Sequence, residues 1–240
     1  MIGRFVQSTL VSGAIRPAPR PASPPPAPTP AFVADPTILT HPNIPKPLHG
    51  LNPRSLKGQE WWDRTRHAAY ASTGFRCLAC GVPKAEAKGP RWLEGHEYWS
   101  IDYQRGIATV ERIVPLCHYC HNFIHSGRLQ MIAGKEKTKK ECVEILEHGF
   151  QILKAHKLKA FPPTLDVARA LGAKTFGVRG YKIKVNEELR WQDWRMILDG
   201  QEYRSNFPDA QAWRSHYRRE RDPDPWEDWE AAIDHYDFCD

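Results

Sequence analysis

No stretch of the chain approaches the roughly 18 consecutive apolar residues of a membrane-spanning helix. The opening MIGRFVQSTLVSGAI also lacks the unbroken apolar run of a secretory signal. The expectation is a soluble, cytoplasmic protein with no membrane partner. Cysteine is scarce, and six in 240 residues are too few for a disulfide scaffold. Acidic side chains are almost missing from the front, where Asp35 is the only one in residues 1–50. Lysine and arginine are missing from residues 222–240, which hold eight acidic side chains.

These gaps divide the chain. Residues 1–50 hold twelve of the 21 prolines and a net charge of +3, residues 51–159 carry +7, and residues 160–240 carry −4. A polyanion would be drawn to the middle segment. RPAPRPASPPPAPTP cannot bury enough apolar surface to offset its ordering entropy, so residues 1–50 read as a Pro-rich disordered leader acting as a linker. Residues 51–159 read as the main domain, and residues 160–240 as a small C-terminal α+β domain with an acidic tail. That tail could fold back over the basic segment or stay solvated.

Within the middle segment, SLKGQEWWDRTRHAAYAS carries apolar positions at helical spacing from Ser55 onward. CLACG follows, with Gly81 after the second cysteine, as a tight knuckle needs. WLEGHEYWSIDY and IATVERIVPLC flank a turn containing Gly106 and predict a β-hairpin. HYCHNFIHSGRLQMI then places His121, Ile124, His125 and Leu129 on one helical side. Residues 136–159 continue as helix, with Cys142 a buried structural thiol among apolar neighbours. Beyond FPPT the sequence predicts a helix at LDVARALGA, then strand, Asp-Gly turn, strand and helix. The fold class is α+β.

Two Cys-x-x-Cys pairs, Cys77/Cys80 and Cys117/Cys120, supply the four thiolates that tetrahedral structural zinc prefers. Neither pair opens a βαβ unit, which argues against a redox motif. His121 and His125, four apart on a helix, project from one face and can reach one ion. His96 lies on a strand whose partner runs directly into that helix, so three imidazoles can converge on one cleft.

Taken together, CLACG, LEGHEYW and IVPLCHYCHNFIHSG resemble the HNH endonucleases, the ββα-metal nuclease superfamily, in its four-cysteine zinc variant. The stretch 51–130 is similar to uncharacterised HNH-type proteins of bacteria and their phages. The resemblance implies a zinc-stabilised ββα-metal core and a metal-dependent endonuclease that hydrolyses DNA phosphodiester bonds. Cys77, Cys80, Cys117 and Cys120 would hold structural Zn2+. His121 and His125 would hold a catalytic Mg2+, Mn2+ or other divalent ion, with His96 as the general base. Many members carry a metal-binding Asp or His directly before the base, where this chain has Gly95. Two registers follow. In one, His96 is the base and Glu94 or Glu97 completes the metal shell. In the other, His96 is itself a ligand and Glu97 takes the second position. The first is preferred, since imidazole titrates nearer the operating pH, and Glu97 is the leading extra participant. Arg112 and Arg128 are the expected phosphate contacts. The competing readings are a non-catalytic zinc module that binds nucleic acid and a protein-interaction component. RNA, oligomeric state and sequence specificity are left open by the sequence.

Overall fold

The computed structural model describes residues 32–133 and 136–219. The proline tract before residue 32 and the acidic tail 222–240 lie outside the described residues. Asn52 starts the helical stretch, since its Oδ1 accepts the Ser55 N–H at 2.8 Å and Pro53 pre-sets the first turn. Helix α1 (Pro53–Lys57) ends at Gly58, whose φ of 85° breaks the helical path before α2 (Gln59–Ser72). The sequence predicted one helix from Ser55; the glycine divides it.

The hairpin is β1 (Leu93–Asp102) against β2 (Ile107–Cys117), antiparallel, with a register shift between Tyr98 and Trp99. Helix α3 (His118–Ile124) follows directly, and the chain bends at His125 before α4 (Ser126–Ile132). The single helix expected here is therefore two. His125 still donates its N–H to the His121 carbonyl at 3.1 Å, so the i,i+4 relation survives the bend.

Helices α5 (Glu136–Ala155) and α6 (Pro162–Leu171) close the back of the core. Strands β3 (Arg195–Leu198) and β4 (Gln201–Arg204) turn through Asp199 and Gly200, both at positive φ, as the Asp-Gly signal predicts. Helix α7 (Ala210–Arg219) follows. β3 pairs parallel to β2, so the four strands form one mixed sheet in the order β1-β2-β3-β4. The fold is α+β. Among the described residues, no helix is long and apolar enough to cross a membrane.

Two expected boundaries differ from what the chain does. Residues 36–40 form a 3-10 turn that buries Ile38 and Leu39 in the main core, and Leu48 is fully buried in a second cluster with Trp99, Trp194 and Met196. The stretch 32–50 is thus packed structure; the proline count concealed three aliphatic side chains that have a core to enter. The segment expected as a separate C-terminal domain adds β3 and β4 to the hairpin's own sheet, and the described residues from Phe32 to Arg219 belong to one compact unit.

Candidate metal centres and the histidine cluster

The knuckle is built by backbone hydrogen bonds around the first cysteine pair. Cys77 donates to the Val82 carbonyl and Gly81 to the Cys77 carbonyl, both at 2.9 Å, with Gly81 at a φ of 78°. Leu78 donates to the Pro115 carbonyl at 2.8 Å, which fastens the knuckle to the end of β2, where Cys117 and Cys120 arrive. The four sulfurs lie within 4.8 Å of one another. Cys80 and Cys117 Sγ are 3.8 Å apart, and these cysteines are free thiols. A tetrahedral ion with bonds of about 2.3 Å to sulfur separates its ligands by about 3.8 Å. The cysteine cluster could therefore bind zinc.

Its electrostatics point the same way. Hydrogen bonds from Cys117, Cys120 and Cys80 hold the Cys77 thiol far below the usual range. The complementary bonds to Cys117, Cys77 and Cys80, together with burial, push Cys120 far above it. A divalent cation among these crowded sulfurs would balance the charge of four thiolates. His148 reaches the same cluster from α5, its Nε2 3.8 Å from Cys120 Sγ.

The second group is His96 from β1, His121 from α3 and His125 at the bend after it, whose ligand atoms also lie within 4.8 Å. Ring centroids are 5.6 Å apart for His96 and His121, 5.0 Å for His96 and His125, and 4.6 Å for His121 and His125. His96 Nδ1 sits 3.2 Å from His125 Nε2. Ligands of a tetrahedral ion with metal–nitrogen bonds of about 2.0–2.1 Å stand about 3.3 Å apart. Burial, reinforced by the neighbouring histidines, holds His96 well below its ordinary pKa, and burial with His121 and Arg128 beside it lowers His125 to about 3. Both rings are neutral at pH 7, the form that binds metals. The three histidines could hold an ion.

His96 is only 2% exposed, whereas His121 and His125 keep part of their surface. A base that must meet water and substrate fits this burial less well than an inner ligand does. Side chains alternate along β1. Glu94, His96 and Tyr98 meet histidines on one side, while a side chain on Gly95 would meet Trp62 and Arg66 of α2 on the other. Glu97 falls on the Gly95 side, and its ligand atoms are not among those that converge. Burial pushes its carboxyl up, although the charge of His121 is close enough to act the other way. Gly95, where the resemblance led to the expectation of a ligand, is instead packed against α2. An added Cβ would stand 3.2 Å from Trp62 and from Ile113.

The acid that meets the histidines is Glu94. Its two oxygens lie 2.8 Å from His118 Nδ1 and 2.8 Å from His121 Nδ1, the latter off the axis of an aligned hydrogen bond. Burial opposes its charge, but His118 and His121 hold the carboxyl below its usual range. Asn122 spends its amide on the His118 carbonyl at 2.9 Å, a bond within its own helix. Arg112, exposed, lies over the Tyr98 ring, and Tyr98 stacks on His41. Arg128, also exposed, donates its backbone N–H to the His125 carbonyl. Arg128 therefore neighbours the histidine group directly, while Arg112 is linked to it only through Tyr98 and His41.

One member of the cluster escaped the sequence. His41, 5% exposed, places Nδ1 3.3 Å from His96 Nε2. It lies in the proline-rich stretch, and the signal that could have found it is the aliphatic pair Ile38-Leu39 just before it.

Comparison of the chain with protein-family models, with curated proteins and with solved structures finds no match.

Proposed function

We propose that the protein is a metal-dependent endonuclease of HNH type, hydrolysing DNA phosphodiester bonds at the histidine group. The observation that carries this reading is the convergence of His96, His121 and His125 from a hairpin strand and the helix after it, at distances that suit one ion, with Arg128 beside His125. Cys77, Cys80, Cys117 and Cys120 would hold a structural zinc that fixes the start of α3 and so the bearing of His121. His96, His121 and His125 would hold the second ion. Three imidazoles suit zinc, nickel or cobalt better than magnesium, which prefers oxygen. An ion bound there would lower the pKa of its water toward 7 and draw charge from the scissile phosphate.

The chain's own residues supply the rest. Glu94 orients His121 through Nδ1, leaving Nε2 for the ion. Arg112 and Arg128 offer their guanidinium groups to phosphate oxygens, and the +7 segment draws the polyanion in. In this reading His96 is a ligand, as in the second of the two registers the sequence allows, but without Glu97 beside it.

Supercoiled plasmid incubated with the protein and Mg2+, Mn2+, Zn2+ or Ni2+ should be nicked or cut. His96→Ala and His125→Ala should abolish this with the structural zinc content intact. Unchanged cleavage in both variants overturns the proposal. Salt-sensitive DNA binding without cleavage under any ion would indicate the non-catalytic zinc module instead.

A further inference from the structure

His41 is tied to two parts of the hairpin at once. Its Nδ1 lies 3.3 Å from His96 Nε2, and its Nε2 lies 2.7 Å from the Trp99 backbone nitrogen and 3.0 Å from the Trp99 carbonyl oxygen. The ring stacks on Tyr98 with centroids 4.9 Å apart and meets His96 edge-on at 5.3 Å. β1 is an edge strand, and the N–H and C=O of a residue on such a strand point the same way, so Trp99 presents both to His41. The 3-10 turn at Pro36–Thr40, anchored by Ile38 and Leu39, brings the ring there.

An imidazole nitrogen either accepts or donates. If His41 Nε2 accepts the Trp99 N–H, its proton sits on Nδ1 and is donated to His96 Nε2. His96 then carries its own proton on Nδ1, toward His125. If His41 Nε2 instead donates to the Trp99 carbonyl, Nδ1 accepts a proton from His96 Nε2, and His96 Nδ1 is left with a free lone pair beside His121 and His125. The Trp99 N–H points at Nε2 from 2.7 Å, so the second arrangement requires the His41 ring to shift from that N–H toward the Trp99 carbonyl, 3.0 Å away.

We propose that His41 is a positioning residue for the histidine site: it grips His96 by Nε2 and thereby keeps Nδ1 aimed at His121 and His125, ready for a divalent transition-metal ion. This rests on the metal-site reading above and adds a residue from outside the cysteine and histidine motifs. A histidine ligand whose far nitrogen is hydrogen-bonded is fixed in tautomer and ring orientation, and loss of such a partner typically weakens metal affinity about 10–100-fold.

The test is calorimetric titration of Zn2+ or Co2+ into full-length protein whose four-cysteine site is already filled with zinc. Wild type should bind one further equivalent. His41→Phe, which keeps a ring on Tyr98 but removes the polar atoms, should bind it about 10–100-fold more weakly. His41→Asn, whose side-chain oxygen falls near the position of Nδ1, should recover most of the loss. Equal affinity in wild type and His41→Phe overturns this inference alone. No second equivalent in wild type removes the metal reading and this inference with it. Should His41→Phe not fold, nitrogen-15 NMR of the zinc-loaded wild type decides: a proton on His96 Nε2 supports the proposal, and a proton on Nδ1 overturns it.

Discussion

Glu94 and His121 meet at 2.8 Å, carboxylate oxygen against Nδ1, and the same carboxylate reaches His118 with its other oxygen. One acid on the first hairpin strand thus braces two histidines of the following helix. Glu94→Gln keeps the size but gives up the charge, and should weaken the second metal equivalent by about tenfold. The four-cysteine site should still fill. Isothermal titration checks this; unchanged affinity would mean that Glu94 plays no part in holding His121.

The cysteine cluster ties the knuckle to the end of β2 and the start of α3. If the cluster holds zinc as proposed, removing the ion, or replacing Cys117 by serine, should unfold the hairpin region, since metal-binding free energy is folding free energy in such sites. Circular dichroism during titration with a strong chelator should show a cooperative loss of structure, restored by zinc. Cys142→Ala should leave the response unchanged. Cys142 lies outside the cluster and gives its thiol to the Leu129 carbonyl at 3.4 Å.

Acid should destabilise the protein when the histidine site is metal-free. His96 and His125 are held below the ordinary value of 6.5, His125 to about 3. Above pH 6.5 the folded and unfolded chains both keep these rings neutral, and the pair exerts no pH dependence. Below it, the unfolded chain takes up protons that the folded chain refuses, so stability falls by roughly 1.4 kcal/mol per pH unit for each excluded proton. The melting temperature should drop between pH 6.5 and 5.5, and less so in His125→Gln. Equal pH slopes in the two proteins would contradict the assignment.

Gly149, inside α5, has Phe123 of α3 against it. An added Cβ would stand 2.1 Å from Phe123 Cδ2, an impossible contact. Gly149→Ala, helpful to an isolated helix by about 1 kcal/mol, should here destabilise by about 1–3 kcal/mol, because Phe123 is fully buried and has nowhere to retreat. Chemical denaturation measures this. Because α3 carries His121, the variant should also weaken the second metal equivalent.

Much of this was legible in the sequence because short-range signals carried it. Cysteine spacing located the knuckle, alternation located the hairpin, and the i,i+4 histidines located the helix face. The Asp199-Gly200 turn and α7 followed from turn chemistry and periodicity alone. What could not be read depends on contacts distant in sequence. The parallel pairing of β2 with β3 joins residues about 90 apart, and no local pattern announces it. His41 reaches His96 across 55 positions, from a stretch whose prolines suggested a linker. Glu97 looked like a partner of His96 because the two are adjacent, yet adjacency on a strand puts side chains on opposite faces. Gly95 looked like a lost ligand, while Trp62 packs against it.

The most direct test is plasmid nicking followed as a divalent transition ion is titrated into protein whose cysteine site is already zinc-filled. Nicking should rise with the ion, saturate at one further equivalent, and be absent in His121→Ala, which should keep its structural zinc. Nicking that is independent of the added ion, or that survives in His121→Ala, would contradict the account.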